Sequence, residues 1–538
     1  MAETKPRGTF TDPSLDYEIG RDNIEMSLGP FGLDIHNPVF VISGLGIFAF
    51  VIGTLMFPTP ATDLFIGIRE WLTGNFDWFF LVAGNIFVLF CLFLIVTPMG
   101  SVRLGGPDAV PDYGYPGWFA MLFAAGMGIG LMFFGVAEPV DHFAAAVAED
   151  AGTAGSWASL SGAAGEASEA ARLGMSATIY HWALHPWAMY AVVGLALAFV
   201  TYNRGLPLSI RSVFYPIFGN RVWGPLGHAI DVVAVFATLF GLATSLGFGA
   251  EQAVAGLDFL FGTGQSDGLK VGLILVITLI ATFSVVAGLD RGVKRASEIN
   301  MVLAVLLLVF VLVAGPTWAL LSGFFSGLGA YVTNLPALAM PFGREDDNFR
   351  EGWTGFYWAW WISWSPFVGM FIARVSRGRT VREFLTCVLV IPSLVCTLWM
   401  TTFGGAALEQ VMAGFGGVQE AATELRLFAM LAQLPLTEIT SAVAIVLVLV
   451  FFVTSSDSGS LVIDAITAGG KTDGPLPQRI FWCIFEGLVA IALLLGGGLA
   501  ALQAMAVATG FPFAMLLLLM CVSILIGLRA ERRGEALA

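Results

Sequence analysis

The chain has 538 residues, of which 57% are apolar and only 12% are charged. Soluble domains average roughly 45–50% apolar and about 25% charged residues, so this composition excludes a soluble globular protein and predicts an integral membrane protein. The net charge of −14 must lie in loops and tails, and the sequence contains no basic patch of the kind that binds nucleic acid.

The predicted elements begin with a polar tail over residues 1–37, which lacks the pattern of a cleavable signal peptide. After it come runs of about 20 mostly apolar residues, the length that a helix needs to cross a bilayer. We therefore predict an all-α membrane protein with twelve transmembrane helices and a short tail over residues 529–538. The predicted spans cover residues 38–58, 77–97, 116–137, 175–202, 227–261, 269–290, 298–322, 354–376, 383–405, 437–465, 477–496 and 500–528. The fifth and tenth spans are long enough to be tilted or kinked.

The basic residues orient these spans. With an even number of spans both chain ends lie on one side, and 19 of the 25 Lys and Arg residues fall in segments on that side. The positive-inside rule assigns such segments to the cytoplasm. The expected location is therefore a bacterial inner membrane, with both tails in the cytoplasm.

The third span contains glycines at positions 126, 128 and 130. Glycine destabilises a helix by about 1 kcal/mol relative to alanine, and alternating glycines do not share one helix face. Close helix packing through Gly126 and Gly130 is one interpretation. The other is a broken helix whose free backbone groups line a cavity, a setting in which non-helical backbone is tolerated at membrane depth.

Aromatic rings are concentrated in the eighth and fourth spans. The eighth span carries Trp353, Trp358, Trp360, Trp361 and Trp364. The fourth span carries Trp182, Trp187 and Tyr190. Pro366 and Pro186 predict a local helix break beside each set. Packing would account for any one ring, but rings gathered at membrane depth also attract quaternary ammonium groups, through cation–π interactions of about 0.5–2 kcal/mol each.

The tenth span places hydroxyl groups directly after pure hydrocarbon, in the segment VTSSDS at residues 453–458. These hydroxyls can simply bond to carbonyl groups of their own helix. They can equally contribute to a site for a hard cation, together with carbonyl groups of a broken third span. Both interpretations stay open at this point.

Five motifs, in order along nearly the whole chain, resemble the betaine–choline–carnitine transporter (BCCT) family. They are GMGIGLMFFGVAEP at 126–139, HWALHPWAMY at 181–190, ATLFG at 237–241, YWAWWISWSPFVGMFIARVSRGRT at 357–380 and VTSSDS at 453–458. The resemblance implies a LeuT-like core of two inverted five-helix repeats, residues 116–340 and 341–528, preceded by two peripheral helices within residues 38–115. It also implies alternating access and a homotrimer surrounded by membrane lipid.

The same resemblance implies binding residues. The substrate site would comprise Trp182, Trp187, Tyr190, Trp361, Trp364, Gly126, Gly128 and Gly130. A sodium site would comprise Ala124, Met127, Phe451, Thr454 and Ser455. A second sodium site would use Thr238 and Phe367, but here Leu242 stands where the family has a hydroxyl, so this site departs from the family pattern.

The function that the resemblance implies is sodium-coupled uptake of a small zwitterion with a quaternary-ammonium or sulfonium head, such as glycine betaine, carnitine or dimethylsulfoniopropionate. Choline-type members of the family are similar to this chain but have an acid at the position that Gly130 occupies here, where it balances a substrate without its own carboxylate. Because this chain has no acid there, the resemblance implies that electroneutrality favours a zwitterion. Gly130→Asp is expected to shift the preference toward choline. Sodium is the expected coupling ion, without an organic cofactor. Choline uptake, and proton-coupled or ion-independent exchange of the same substrates, are the alternatives.

Other polar residues of the spans keep further hypotheses open. His181 and His185 have the i, i+4 spacing of a zinc pair, but are expected to be hydrogen-bonded structural residues. Acids in or near spans, any of which could carry a proton, are Glu138, Asp231, Glu251 and Glu486. Glu138 and Asp231 are expected near aqueous ends of their spans. The arginine run over residues 374–382 is expected to anchor the topology and could bind anionic lipid. An intramembrane enzyme is one competing class, but the sequence shows no paired base and nucleophile at a defined spacing. A passive channel or a non-transporting sensor is the other.

Overall fold

The structure, a computed structural model, describes residues 20–21, 23–28, 31–36, 38–126, 128–148, 158–287, 290–471 and 474–534. Within these ranges ten helices are long and apolar enough to cross a membrane. The chain is therefore an all-α, multi-pass membrane protein, as its composition predicts. Much of the predicted N-terminal tail, the end of the C-terminal tail and Met127 lie outside the described residues.

The elements follow one another in this order. A hairpin of β1 (Asn23–Leu28) and β2 (Phe31–His36) precedes α1 (Val39–Met56), α2 (Pro58–Val96), α3 (Tyr115–Gly126), α4 (Ile129–Val147), α5 (Ala167–Trp182) and α6 (Leu184–Arg204). Next come α7 (Tyr215–Phe218), α8 (Pro225–Phe261), α9 (Asp267–Ala287), α10 (Asp290–Ala314), α11 (Thr317–Leu338) and α12 (Asp347–Phe349). The chain continues with α13 (Phe356–Val375), α14 (Val381–Met412), α15 (Gly417–Glu420), α16 (Arg426–Leu431), α17 (Thr437–Thr467) and α18 (Leu476–Arg533).

Two helices, α18 and α13, account for the difference between the ten candidates and the twelve predicted spans. The 58 residues of α18 would extend about 87 Å at 1.5 Å per residue, which is far more than one bilayer. Gly497 (φ 157°) and Gly498 (φ 61°) interrupt this helix where the sequence predicts a boundary between two spans. The helix α13 is not among the ten, because its Trp, Tyr and Ser residues lower the mean hydropathy.

The predicted break in the third span is confirmed. The helix α3 ends at Gly126 and α4 begins at Ile129, with Gly128 in an extended conformation (φ −168°, ψ −174°). The break leaves the start of α4 without a side-chain cap. Its first backbone N–H groups therefore point toward the interruption, where the helix dipole is positive.

The predicted break in the fourth span is displaced. It falls at Ala183 (φ −100°, ψ −118°), between α5 and α6, and not at Pro186. Because Pro186 occupies the first turn of α6, its missing N–H disturbs no helical hydrogen bond.

The predicted break at Pro366 is wrong. The helix α13 continues through this proline, which leaves the carbonyl group of Ile362 without its usual N–H donor. The hydroxyl of Ser365 donates to that carbonyl instead, at 2.7 Å. The neighbouring hydroxyl thus satisfies the group that the proline frees.

The seventh predicted span, residues 298–322, also differs. Here α10 ends at Ala314, and Gly315 and Pro316 separate it from α11. The membrane-crossing candidate runs over Arg295–Ala314. The second predicted span, residues 77–97, is shorter than the observed helix, because α2 begins at Pro58 and is 39 residues long, about 58 Å.

The broken and aromatic helices meet in the centre of the bundle. The helix α13 packs against α6, α8 and α18, while α4 packs against α5, α14 and α17. The interrupted third span and the tryptophan-rich eighth span therefore face one another across a common space.

Candidate functional site

A central cavity, with ≈ 440 Å³ of empty space that includes its opening to solvent, lies between these helices. Seven predicted substrate residues line it: Gly128, Gly130, Trp182, Trp187, Tyr190, Trp361 and Trp364. Four further residues complete the lining: Leu131, Pro186, Trp360 and Cys396. None of these eleven side chains carries a formal charge. Gly126, the eighth predicted residue, is the last residue of α3, and its surroundings lie outside the described part of the chain.

Three of the ring contacts around the cavity are edge-to-face. The ring centroids of Trp182 and Trp361 lie 4.9 Å apart with an interplanar angle of 75°. Trp187 and Tyr190 lie 5.3 Å apart at 77°, and Tyr190 and Trp361 lie 6.3 Å apart at 79°. Rings of α5, α6 and α13 thus form walls at steep angles to one another. Such an arrangement can present several electron-rich faces to one cation.

Hydrogen bonds and stacking fix the rings of α13. The indole N–H of Trp361 donates to the backbone carbonyl of His181 at 3.0 Å, at the end of α5. Trp360 stacks on Trp361, with centroids 4.7 Å apart and an angle of 14°. The orientation of Trp361 is therefore set by its own helix and by α5 together.

A buried carboxylate holds the opposite wall. Glu138 is fully buried, and its Oε2 accepts hydrogen bonds from the indole N–H of Trp182 and from the hydroxyl of Tyr357, both at 2.6 Å. Its Oε1 lies 2.6 Å from Nδ1 of His181 and 3.2 Å from Nε2 of His142. The expectation that Glu138 lies near an aqueous end is wrong, because four neighbouring groups surround it and satisfy its oxygens.

The histidines of the fourth span are hydrogen-bonded, as expected. Nε2 of His181 lies 3.0 Å from the hydroxyl of Thr354, and Nε2 of His185 lies 3.0 Å from the side-chain oxygen of Asn85. Possible ligand atoms of Glu138, His142 and His181 lie within 4.8 Å of one another. Because these atoms already pair with each other, hydrogen bonding accounts for this cluster without an ion.

The two glycines that line the cavity differ in the space around them. A Cβ atom at Gly130 would lie 2.9 Å from Cη2 of Trp182 and 3.0 Å from Cη2 of Trp360. A Cβ atom at Gly128 would meet only Cη2 of Trp364, at 4.0 Å. The predicted effect of Gly130→Asp on selectivity is therefore revised, since the new side chain would displace the aromatic wall before its charge could act.

Trp364 lies at the half-exposed edge of the cavity and stacks on Phe367, with centroids 5.7 Å apart and an angle of 17°. In the described part of the chain its indole N–H has no hydrogen-bond partner. This side chain therefore offers a free donor beside the aromatic walls.

Of the predicted sodium residues, Ala124 lies on α3, and Phe451, Thr454 and Ser455 lie on α17. The hydroxyl of Thr454 donates to the carbonyl groups of Val450 and Phe451, at 2.9 and 3.2 Å, as the simpler interpretation of this segment predicts. The lone pairs of its oxygen stay available to a cation. Thr454 and Ser455 are half-buried and Ala124 is exposed, so water can reach these positions, but Met127 lies outside the described residues.

The second predicted sodium position is apolar in part. The hydroxyl of Thr238 donates to the carbonyl of Ala234 at 2.7 Å, within its own helix. Leu242 is fully buried, one turn later, and a Cβ atom at Gly459 would collide with its side chain. A methylated side chain therefore fills the space where the family pattern has a hydroxyl.

One known protein family matches the chain over most of its length. The family described as "BCCT, betaine/carnitine/choline family transporter" matches residues 38–533. That range contains every described residue of the cavity and both predicted sodium positions.

The names of individual relatives agree with the description of this family. The chain is 62% identical, over 98% of its length and 96% of the relative's, to a glycine betaine/proline/choline transporter of Vibrio parahaemolyticus. It is 53% identical, over 98% of its length and 100% of the relative's, to glycine betaine transporter 1 of the same species. It is 43% identical to the glycine betaine transporter OpuD of Bacillus subtilis, over 90% of this chain and 93% of that one.

Proposed function

The chain belongs to the betaine/carnitine/choline transporter family, and from this premise we propose that it takes up a small quaternary-ammonium zwitterion by sodium-coupled secondary transport. Members of this family are transporters, so the hypothesis of an intramembrane enzyme is set aside. Glycine betaine is the substrate that we propose first, because it appears in the names of all three relatives described above.

The observation that carries the proposal is the chemistry of the central cavity. Its walls are aromatic and uncharged, which suits a methylated cation that has no N–H groups to donate. The uncapped start of α4, with Gly128 and Gly130 at the cavity, supplies a positive helix end for a carboxylate. A zwitterion therefore brings both of the charges for which the cavity has complementary groups.

The substrate range follows from the same geometry and from the relatives. Proline and choline occur in the name of the most similar relative described above, and carnitine in that of the family. Proline, carnitine and dimethylsulfoniopropionate share the zwitterionic character of glycine betaine. Choline lacks a carboxylate, so the helix end would stay unoccupied and we expect choline to bind more weakly.

Sodium coupling rests on a single cation site in this proposal. Carbonyl groups of Ala124 and Phe451, with the hydroxyls of Thr454 and Ser455, would supply the oxygen ligands that a hard cation prefers. Met127, predicted as a further ligand, lies outside the described residues. The apolar side chain of Leu242 argues against a second ion at Thr238 and Phe367.

The proposed architecture is the one that the family resemblance implies. If α18 counts as two spans and α13 is added, the ten candidate helices become the twelve predicted spans. Residues 116–340 and 341–528 would form two inverted repeats that alternate access to the cavity, and residues 38–115 two peripheral helices. The protein would be a homotrimer in the bacterial inner membrane, with both ends in the cytoplasm.

Uptake of labelled glycine betaine into proteoliposomes tests this function. An inwardly directed sodium gradient should drive accumulation above the external concentration, whereas an equal potassium gradient should not. Proline, carnitine and choline, added as competitors, rank the substrates. Equilibration without accumulation would instead indicate a passive pathway.

One observation favours a second candidate for the coupling ion, the proton. Among the four acids singled out in the sequence, Glu138 is hydrogen-bonded, Asp231 pairs with Arg211 and Glu251 with Lys270. Glu486 is fully buried, and within the described ranges neither of its oxygens has a well-formed hydrogen bond. Its polar neighbours are the hydroxyl of Ser456 and the carboxylate of Asp457, and neither is a cation. A carboxylate buried in this setting is unfavourable, so the group is expected to bind a proton or a cation.

The Glu486→Gln variant separates the two coupling ions. If the proton is coupled, an inward proton gradient should drive uptake by the wild-type protein and the variant should lose that drive. If sodium alone is coupled, the variant should keep sodium-driven uptake, because glutamine resembles the neutral acid in size and shape.

A further inference from the structure

A polar contact joins α2 to the start of α6, behind the aromatic site. Nε2 of His185 lies 3.0 Å from the side-chain oxygen of Asn85, and the amide NH₂ of Asn85 donates to the backbone carbonyl of Ala339 at 2.7 Å. Further along the same pair of helices, Sγ of Cys91 lies 4.0 Å from the carbonyl oxygen of Ala188. Because α2 is a membrane-crossing candidate, Asn85 belongs to the polar side chains that link helices by hydrogen bonds inside a bilayer.

The two hydrogen bonds of Asn85 determine which group donates in each. The oxygen of an asparagine side chain only accepts and its NH₂ group only donates. Since the NH₂ group faces the carbonyl of Ala339, the oxygen faces His185, and Nε2 of that ring must carry the proton. Asn85 therefore connects the imidazole to the carbonyl group of Ala339, which directly follows α11.

Ring contacts hold the same imidazole from two further sides. His185 stacks on Trp358 of α13, with centroids 5.2 Å apart and an angle of 12°. Tyr180 of α5 meets it edge to face, at 4.8 Å and 68°. A Cβ atom at Gly84 would lie 2.8 Å from Nε1 of Trp358, so α2 closely approaches the ring on which His185 stacks. The imidazole is therefore fixed by α2, α5 and α13 together.

His185 lies in the first turn of α6, directly after the break at Ala183. The residue before this helix provides no side-chain cap, and Pro186 has no N–H to donate. The first N–H groups of a helix have no partners within the helix. The first turn of α6 thus has few hydrogen bonds of its own to fix its direction, and the contacts of His185 supply this constraint from outside.

The two cavity-lining rings of this turn lie on the other side of the helix. A helix advances about 100° per residue, so Trp187 and Tyr190 are rotated by about 200° and about 140° from His185. Both rings line the central cavity, whereas His185 faces away from it toward α2. A rotation or tilt of this turn would therefore move both rings relative to Trp361 on α13.

We propose that Asn85 and His185 are positioning residues for the substrate: their contact fixes the first turn of α6 and so directs Trp187 and Tyr190 toward the cationic head. This inference rests on the proposed binding of a quaternary-ammonium zwitterion and deepens it, because it gives α2 a part in the affinity of the site. A contact that served only the fold would stabilise the bundle without affecting the cavity. This one lies directly behind two of its rings.

Binding of labelled glycine betaine to the purified full-length protein tests the inference. Asn85→Leu keeps the size of the side chain but removes both hydrogen bonds. It should raise the dissociation constant roughly 5- to 30-fold, the equivalent of one lost cation–π face.

Asn203→Leu is the matched control on the same helix. Asn203 is buried in the last turn of α6. Its oxygen accepts from the N–H of Gly105 and its NH₂ donates to the carbonyl of Arg103, both at 2.9 Å. This asparagine thus makes the same two kinds of hydrogen bond as Asn85, about 27 Å along α6 from His185. Its loss should lower the melting temperature and leave the dissociation constant unchanged.

A pair of histidine variants guards against a folding defect in Asn85→Leu. Glutamine can place its NH₂ group near the position of Nε2, whereas asparagine is one methylene shorter and does not reach it. His185→Gln should therefore bind glycine betaine within about threefold of the wild type, and His185→Asn should lose as much affinity as Asn85→Leu.

Fluorine NMR reports the position of the ring without any substrate. The chain contains 15 tryptophans, and after labelling with 5-fluorotryptophan the resonance of Trp187 is assigned by its disappearance in Trp187→Phe. This resonance should shift in Asn85→Leu and stay in place in Asn203→Leu. Failure of the wild type to bind glycine betaine would count against the proposed function, and the resonance would then decide the present inference by itself.

Four results would overturn the inference. These are unchanged affinity in a folded Asn85→Leu variant, equal losses of affinity in Asn85→Leu and Asn203→Leu, equal losses in His185→Gln and His185→Asn, and a Trp187 resonance that does not move in Asn85→Leu.

Discussion

The buried carboxylate of Glu138 gives the sharpest prediction, because it holds an aromatic wall of the cavity in place. In Glu138→Gln an amide NH₂ replaces one of the two oxygens, and this group cannot accept hydrogen bonds. Two of the four surrounding groups then lose their acceptor. Hydrogen bonds to charged groups contribute about 1.5–3 kcal/mol each, so the loss is about 3–6 kcal/mol before the site relaxes.

Part of this loss should appear in substrate affinity. Trp182 donates to Glu138 at 2.6 Å and meets Trp361 edge to face. Once released, Trp182 no longer holds its face toward the cation, and one cation–π contact is worth about 1–2 kcal/mol in such a site. We expect glycine betaine to bind roughly 5- to 30-fold more weakly to Glu138→Gln, with a lower melting temperature.

A double-mutant cycle provides the assay. The dissociation constant of glycine betaine is measured for the wild type, Glu138→Gln, Trp182→Phe and the double variant. Phenylalanine keeps a ring but has no N–H, so Glu138→Gln should have little further effect in that background. Glu251→Gln is the control, because Glu251 is also buried but pairs with Lys270 away from the cavity.

The reasoning would be refuted if the two substitutions weakened binding additively, within about 0.5 kcal/mol. Unchanged affinity in Glu138→Gln, despite a lower melting temperature, would show that the carboxylate stabilises the fold without positioning the ring.

Three further predictions follow from other parts of the structure. Gly130→Ala should raise the half-saturation concentration for betaine uptake at least about tenfold, because its Cβ would meet two tryptophan rings at 2.9 and 3.0 Å. Gly128→Ala, whose Cβ has its nearest atom at 4.0 Å, should change that concentration by less than about threefold, and similar values for the two variants would contradict this. Thr454→Ala combined with Ser455→Ala should abolish sodium stimulation of uptake while the melting temperature is kept, and intact stimulation would place the ion elsewhere. Burial, together with a neighbouring arginine and a second histidine, lowers the pKa of His36 from 6.5 to about 3. The stability contributed by the neutral ring is therefore complete above pH 6.5 and is lost progressively below it, so the free energy of unfolding should fall by about 2 kcal/mol at pH 5. His36→Gln should flatten this part of the profile of stability against pH, and an unchanged profile would contradict the assignment.

Features that depend on local sequence were predictable. Glycines at alternate positions predict the interruption between α3 and α4, since glycine both tolerates extended backbone and weakens a helix. The aromatic residues that line the cavity lie in two short motifs, so their periodicity and depth in the bilayer could be read directly. Pro366 shows the limit of this approach, because the hydroxyl of Ser365 satisfies the carbonyl that the proline frees.

Features that depend on distant partners were not predictable in this way. Glu138 bonds to Trp182 and Tyr357, which lie 44 and 219 residues away along the chain, and no local pattern announces such a network. The β1–β2 hairpin lies in a segment interpreted as a polar tail. Asn23 and Asp34 tie it to the other end of the chain, by a 2.8 Å hydrogen bond to the carbonyl of Ala468 and a 2.5 Å ion pair with Lys471.

The central claim is that the aromatic walls bind a methylated cation together with sodium. Binding of labelled glycine betaine to purified protein, followed by scintillation proximity in sodium and in potassium, measures this most directly for the wild type and Trp361→Leu. We expect sodium-dependent binding that weakens at least about tenfold in the variant, which loses one cation–π face and a contact with Trp182. Equal affinity in the two proteins, or equal binding in potassium, would contradict the account.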